Sequence, residues 1–330
     1  METIDLTTGG LEGHFVIRGL LQRAAASLDV ASVLSYQTEE LEELVKREIH
    51  KLWHLPPGHI VLTSSGTEAV SFSLTILANS SKPLLVQNPS YFGAWRSLRG
   101  STPTIWDGAS SSSLLYVCPN LHPANGASIP EKQLVDYAGP LILDDPYFPL
   151  TEKKHHLAQL RSQARDVVIG SFAKLVGPGT RCGFIWTRNK SVFKQLRSLK
   201  ITQNLGISPL LLELILSADL SRHIAEIREY NSSRQRLAST YLNTQDWAYA
   251  GVFRFFRVFP DYYERLLRAG IKVDRLDYYY QNTQPPLFRI NLFRHDSILL
   301  TRALSVLRDL KVVEEISQIE GTVYIESTAA

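Results

Sequence analysis

Residues 167–183 read VVIGSFAKLVGPGTRCG: an apolar run, a lysine, a glycine–proline loop and an arginine. The run 167–170 shows no polar alternation, the pattern of a strand covered on both faces. Lys174 follows it closely, and Arg181 comes seven residues after the lysine. A lysine among apolar walls and other cations can lose its proton and attack a carbonyl carbon. An arginine offers a planar fork that matches a phosphate. The same residues also fit a surface loop with an exposed lysine and a solvated arginine.

On either side, short apolar runs alternate with longer amphipathic ones. The pattern predicts strands at 59–63, 84–87, 114–118, 141–143 and 184–186, besides the one at 167–170. Helices are predicted at 68–78, 94–99, 131–137 and 157–164. This is the βαβ rhythm of an α/β protein: a mostly parallel sheet with helices on both faces. After residue 190 the pattern changes. Helices are predicted at 191–200, 209–218 and 220–243, with 210–216 buried because it is nearly all apolar. Strands follow at 252–258 and 287–292, and helices at 261–269 and 297–310. These make a smaller α+β domain. The expected organisation is an N-terminal arm (1–40) contributing to the small domain, a large domain (41–215) and a small C-terminal domain (216–330).

The chain of 330 residues is 44% hydrophobic and 20% charged, with a formal charge of +3. A large core is possible, and no basic block is dense enough to suggest nucleic acid. No apolar run approaches the roughly 18 residues of a membrane span. The opening METIDLTTGG lacks the apolar centre of a signal peptide. The two cysteines, Cys118 and Cys182, are too few for a disulfide framework and read as buried thiols in a reducing compartment. The expected location is the cytoplasm.

Two further motifs stand at the ends of predicted strands. Ser64-Ser65-Gly66-Thr67-Glu68 lies between IVLT and an apolar helix. Free backbone amides and the helix dipole there suit a phosphate, helped by the hydroxyls of Ser65 and Thr67. The same residues suit a plain helix cap. In LILDDPY, Asp144 and Asp145 end a buried strand, where open α/β sheets bind ligands. An acid there can pair with a cationic ligand atom, or serve a turn made with Pro146.

Taken in order, these motifs resemble the fold-type I pyridoxal 5′-phosphate (PLP) enzymes, specifically the class I/II aminotransferase family. The family's S-F-S-K and P-G-x-R-x-G motifs are matched by SFAKLVGPGTRCG. The resemblance implies that Lys174 carries the cofactor as a Schiff base and that Arg181 and Ser171 bind its phosphate. SSGTEAV resembles the phosphate-cup turn, which adds Ser65, Gly66 and Thr67. NPSYFG places Tyr91 against the pyridine face. LDDPY makes Asp144 the partner of the ring nitrogen and Tyr147 a donor to the 3′-oxygen. LFRINLF places Arg289 on the substrate α-carboxylate, with Arg294 as a competitor. The resemblance spans about residues 36–310, implies a seven-stranded-type sheet and calls for no metal. Tyr36, in SYQTEEL, resembles a tyrosine that reaches the neighbouring subunit's phosphate, and a homodimer is implied.

There are departures. Ala173 stands where the family has a second serine. Pro123, in CPNLHPANG, stands where an asparagine meets the 3′-oxygen; Asn120, His122 or Asn125 could substitute, or the contact is lost. The function implied is a PLP-dependent aminotransferase acting on an α-amino acid and a keto acid. A lyase, cyclase, decarboxylase or oxidase on the same fold is an alternative, and a non-catalytic ligand-binding module a remoter one. The aromatic run at 277–280 reads as packing.

Overall fold

A computed structural model describes residues 3–7, 15–26, 28–78, 83–96, 102–161, 163–242, 252–257, 261–276, 279, 287–310 and 314–315. Strand β1 (Ile4–Asp5) lies apart from a seven-stranded sheet. The sheet contains β2 (His59–Thr63), β3 (Leu84–Val86), β4 (Thr104–Ile105), β5 (Leu114–Val117), β6 (Leu141–Asp144), β7 (Val167–Ser171) and β8 (Gly183–Thr187). Their spatial order is β2-β8-β7-β6-β5-β3-β4. Strand β8 runs antiparallel to both its neighbours, and all other pairs are parallel. The mostly parallel sheet is therefore present, with one strand more than the six apolar runs. The extra strand, β4, is two residues long, exposed and at the edge, so no apolar run announces it.

Successive side chains of a strand point to opposite faces, and each face has its own core. Leu115, Leu143 and Val168 pack with Val45 and Ile49 of the helix Glu39–Leu52 and with Leu212 of the helix Pro209–Leu216. Tyr116, Ile142 and Ile169 pack instead with Val70 of the helix Gly66–Leu77 and Leu196 of the helix Lys190–Asn204. This two-sided burial explains the missing polar alternation.

A third core belongs to the smaller layer. Strands β9 (Phe253–Arg257), β11 (Asp274–Arg275), β12 (Leu287–Asn291) and β13 (Glu314–Glu315) form an antiparallel sheet in the order β11-β12-β9-β13. Strand β1 pairs in parallel with β10 (Ile271–Lys272), so the N-terminal segment joins this layer. The helices Leu220–Leu242 and Ser297–Asp309 cover it.

Several expectations need correction. The helix predicted at 157–164 is only Leu157–Leu160. Arg161 leaves the helix to meet Asp166 at 2.7 Å and to donate to the carbonyls of Tyr137 and Gly139. The segment 210–216 is not wholly buried: Leu212 and Ile215 are inside, but Leu210 is 42% exposed. A helix shows its neighbours only part of its circumference, so apolar residues all round cannot all face one core. The helix predicted at 94–99 is observed as Phe92–Arg96, and 97–99 lie outside the described residues. So do Val258 and the tail beyond Glu315. The helices Phe15–Ala26 and Glu39–Leu52 were not anticipated.

Candidate active site

The carboxyl ends of β5, β6 and β7 and the amino end of the helix Gly66–Leu77 open onto one cavity. Its wall contains Lys174, Asp144, Tyr147 and Tyr91, the residues expected to meet a cofactor ring. It also contains Ser65, Gly66, Thr67, Ser171 and Arg181, those expected to meet a phosphate, and Arg289 at the substrate side. Five sequence segments, far apart in the chain, thus meet here: four follow strands of the seven-stranded sheet, and Arg289 comes from the separate C-terminal sheet.

At the end of the cavity where the sequence leads one to expect a phosphate, Ser65 is the N-cap of its helix, and its Oγ accepts from Glu68 N at 3.0 Å. Glu68 in turn accepts from Ser64 N at 2.7 Å and lies 3.3 Å from Lys200 Nζ. The capping reading of this motif therefore holds. It does not exclude the anion reading, because a cap satisfies only one of the several free amides of a helix start. Gly183 on the adjacent β8 must lack a side chain: a Cβ there would lie 2.6 Å from the Ser65 carbonyl carbon. Arg181 adopts left-handed backbone angles, φ 39° and ψ 48°, after the short turn Pro178–Thr180, and its side chain is exposed. Ala173, where a second hydroxyl was expected by resemblance, also lines the cavity and contributes a methyl group.

Lys174 ends a single turn of 3-10 helix, Phe172–Lys174. Ser171 caps that turn, accepting from Ala173 N at 3.2 Å. The Lys174 ammonium lies 5.5 Å from the centre of the Tyr147 ring. Burial pushes the Tyr147 hydroxyl well up, so it remains a donor at neutral pH. Tyr91 is anchored by its hydroxyl, 3.0 Å from Thr67 Oγ1.

The two adjacent acids differ completely. Asp144 shares the face of Ile142 and Tyr116 and reaches the cavity, where the Tyr116 hydroxyl donates to its Oδ2. Burial raises its pKa to about 7; the Tyr116 bond and the Lys174 charge oppose the rise, and Asp145 adds to it. Asp145 points to the opposite face. Its carboxylate accepts from Asn120 Nδ2 and lies 3.3 Å from His156 Nε2. Its carbonyl accepts from Trp53 Nε1 at 2.9 Å.

The departures from the family pattern have structural counterparts. Asn120 is turned to Asp145. Asn125 Oδ1 accepts from Ala127 N at 3.0 Å within its own turn. His122 is buried, accepts from Ala124 N at 3.1 Å, and is held neutral by burial and the nearby Arg289 charge, its pKa about 3. From this loop the cavity wall takes Leu121 and Pro123 instead.

Arg289 is on the wall, but it is already engaged. Its Nε and Nη2 donate to Asp274 Oδ2 at 3.0 and 2.8 Å, and Nη1 donates to the Pro123 carbonyl. Its guanidinium lies 4.4 Å from the Phe253 ring centre. Arg294 is elsewhere, donating to the Thr7 carbonyl and Asp5. Tyr36 is on the surface.

Six further residues of the wall are not marked as site residues by any motif: Tyr279, Cys118, Leu121, Pro146, Pro178 and Cys182. Tyr279, read as packing, both packs and lines the site, with its ring centre 6.5 Å from that of Tyr91. Asp277, Tyr278 and Tyr280 lie outside the described residues. Tyr116 was missed as well, because its link to Asp144 depends on the β5–β6 register, which no local pattern announces. Among the described residues, no group of three His, Cys, Asp or Glu side chains is placed to hold a metal ion.

No protein-family model matches the chain, and no curated protein does. Solved structures do. The kynurenine aminotransferase of Pyrococcus horikoshii, solved with PMP, superposes with a TM-score of 0.75 at 17% identity, over 94% of this chain and 90% of that one. The α-aminoadipate aminotransferase of Thermus thermophilus gives 0.76 at 15% identity, over 93% and 91%. The aspartate aminotransferase of Thermus thermophilus, with maleate, gives 0.75 at 17% identity, over 94% and 92%. The chain therefore has the fold of the fold-type I aminotransferases along nearly its whole length.

Proposed function

We propose that this chain is a PLP-dependent aminotransferase that acts on an amino acid and a keto acid, with Lys174 carrying the cofactor. The observation behind this is one cavity that holds a lysine, a buried acid and a helix amino end, each of a type suited to one part of the cofactor. Ser65, Gly66, Thr67, Ser171 and Arg181 fit a phosphate through amides, hydroxyls and a guanidinium. Asp144 fits a protonated ring nitrogen, and Tyr147 would donate to the 3′-oxygen of the bound cofactor. PLP, when bound, supplies a reactive carbonyl and a sink for electrons.

The protein's part is positioning and proton transfer. Tyr91, held by Thr67, would cover the ring of the bound cofactor and exclude water. Lys174 Nζ moves the proton at the substrate Cα, and its neighbour Tyr147 keeps it close. Arg289 stands at the substrate end of the cavity.

We also infer a homodimer. Leu34 and Tyr36 are 82% and 84% exposed, and Tyr36 is the residue whose motif resembles one that reaches a neighbouring subunit. The division into 1–40, 41–215 and 216–330 is likewise our reading; the β1–β10 pairing supports an arm that joins the C-terminal part. The buried free thiols Cys118 and Cys182 favour a cytoplasmic location. Among the described residues no helix is long and apolar enough to cross a membrane.

The test is reduction of the purified, PLP-treated protein with borohydride, followed by peptide mapping. The cofactor should be fixed on Lys174; a label elsewhere, or none, overturns the assignment. Amino acid should then pass its amine to a keto acid. Release of ammonia or carbon dioxide in place of that transfer would show one of the alternative reactions.

A further inference from the structure

Arg289 and Asp274 face each other directly across the β11–β12 ladder. A carboxylate and a guanidinium make their best contact through two parallel N–H donors on one edge. Here the Nε–Nη2 edge is spent on Asp274, at 3.0 and 2.8 Å, and Nη1 is bonded to the Pro123 carbonyl. The ring faces of Phe253 and Tyr279 lie 4.4 and 5.7 Å from the guanidinium carbon. The side chains are 5% and 18% exposed for Arg289 and Asp274, so water screens the pair weakly.

A substrate carboxylate arriving at Arg289 therefore meets a cation already neutralised. To use the side edge it must displace Asp274 and leave that acid half-buried without its partner, which is unfavourable. To use the remaining edge it must lie beside Asp274, and like charges repel.

We propose that Asp274 is a specificity-determining residue: it occupies Arg289 so that the substrate α-carboxylate contributes little to binding. The site then accepts simple primary amines about as well as the corresponding α-amino acids. The loop that carries Pro123 takes part, because it gives Arg289 a carbonyl ligand at the position where the family pattern has an asparagine for the cofactor. This proposal rests on the aminotransferase reading above.

The experiment uses PLP-loaded enzyme and two matched pairs, L-phenylalanine with 2-phenylethylamine and L-leucine with 3-methylbutylamine. Apparent dissociation constants are read from the change in the visible absorbance of the bound cofactor. In the wild type, each amino acid and its amine should agree within about tenfold, against the hundredfold or more expected of a bidentate clamp. Asp274→Asn should tighten the amino acids at least tenfold and leave the amines unchanged.

A wild-type preference for the amino acids of a hundredfold or more overturns the proposal. So does weaker amino-acid binding in Asp274→Asn, which would make Asp274 merely the support of Arg289. If that variant does not fold, Arg289→Gln decides: the wild-type ratio should stay within about threefold, and a larger loss of amino-acid preference counts against the proposal. Borohydride labelling separates the two levels. No label on Lys174 means that the functional reading itself fails. A label on Lys174 with no response to either amine means that the reading stands and this proposal falls.

Discussion

Asp144 and Asp145 show how much one position along a strand decides. Asp144 faces the cavity and Tyr116, while Asp145 faces His156 and Asn120. Asp144→Asn should leave the fold intact and reduce cofactor affinity and turnover by at least a hundredfold, about 3 kcal/mol of lost interaction with a charged partner. Asp145→Ala should act on stability instead. It removes one side of a buried polar cluster, a change that costs about 3–5 kcal/mol, and urea denaturation reads the loss. The reverse pattern would exchange the two roles. Asp144 also gives a pH signature. Burial raises its pKa to about 7 in the cofactor-free protein, against about 3.9 in an unfolded chain. Between those values the folded state keeps a proton that the unfolded chain has released, so folding is favoured at low pH. That stabilisation is full below about pH 4 and is lost as the pH rises through about 7, on the order of 4 kcal/mol in all. Cofactor-free Asp144→Asn should lack this fall between about pH 4 and 7 in urea titrations; a fall of the same size in both proteins would trace it to another group.

The start of the helix Gly66–Leu77 depends on three elements together. The helix supplies free amides, β7 places Ser171 against Gly66, and β8 passes close enough that Gly183 cannot carry a side chain. A Cβ at Gly183 would be 2.6 Å from the Ser65 carbonyl carbon, and this contact is with backbone, which cannot rotate away. Gly183→Ala should therefore push the turn out of place, costing about 1–3 kcal/mol as overpacking does. It should also weaken PLP binding at least tenfold, read by absorbance titration. Ser65→Ala tests the cap alone, with a cost of about 1 kcal/mol. Wild-type cofactor affinity in Gly183→Ala would show that the turn does not hold the phosphate.

Over the whole molecule, the exposed apolar side chains bear on assembly. Leu34, Tyr36, Leu205 and Leu210 are all exposed in the single chain. If the homodimer forms as inferred, light scattering at micromolar concentration should give twice the chain mass. A double substitution, Leu34→Glu with Leu210→Glu, should shift the protein toward monomer with its secondary structure retained by circular dichroism. Monomer in the wild type, with full activity, would rule the dimer out.

The local patterns of the sequence carried the alternation of strands and helices, the both-faces-covered sheet and the small-residue turn before the helix Gly66–Leu77. They also marked Lys174 and Arg181 on one short loop. These features are legible because each arises from forces between near neighbours in the chain: apolar periodicity, turn stereochemistry and helix capping. What local pattern could not supply is set by pairing between distant segments. The antiparallel insertion of β8 between β2 and β7, the edge strand β4 and the Tyr116–Asp144 bond all follow from sheet order and register. The helix at 157–164 ended early because Arg161 found a buried acid and carbonyls outside it. The engagement of Arg289 is of the same kind. The sequence places an arginine on a late strand, but only the register that sets Asp274 opposite it decides what that arginine is bonded to.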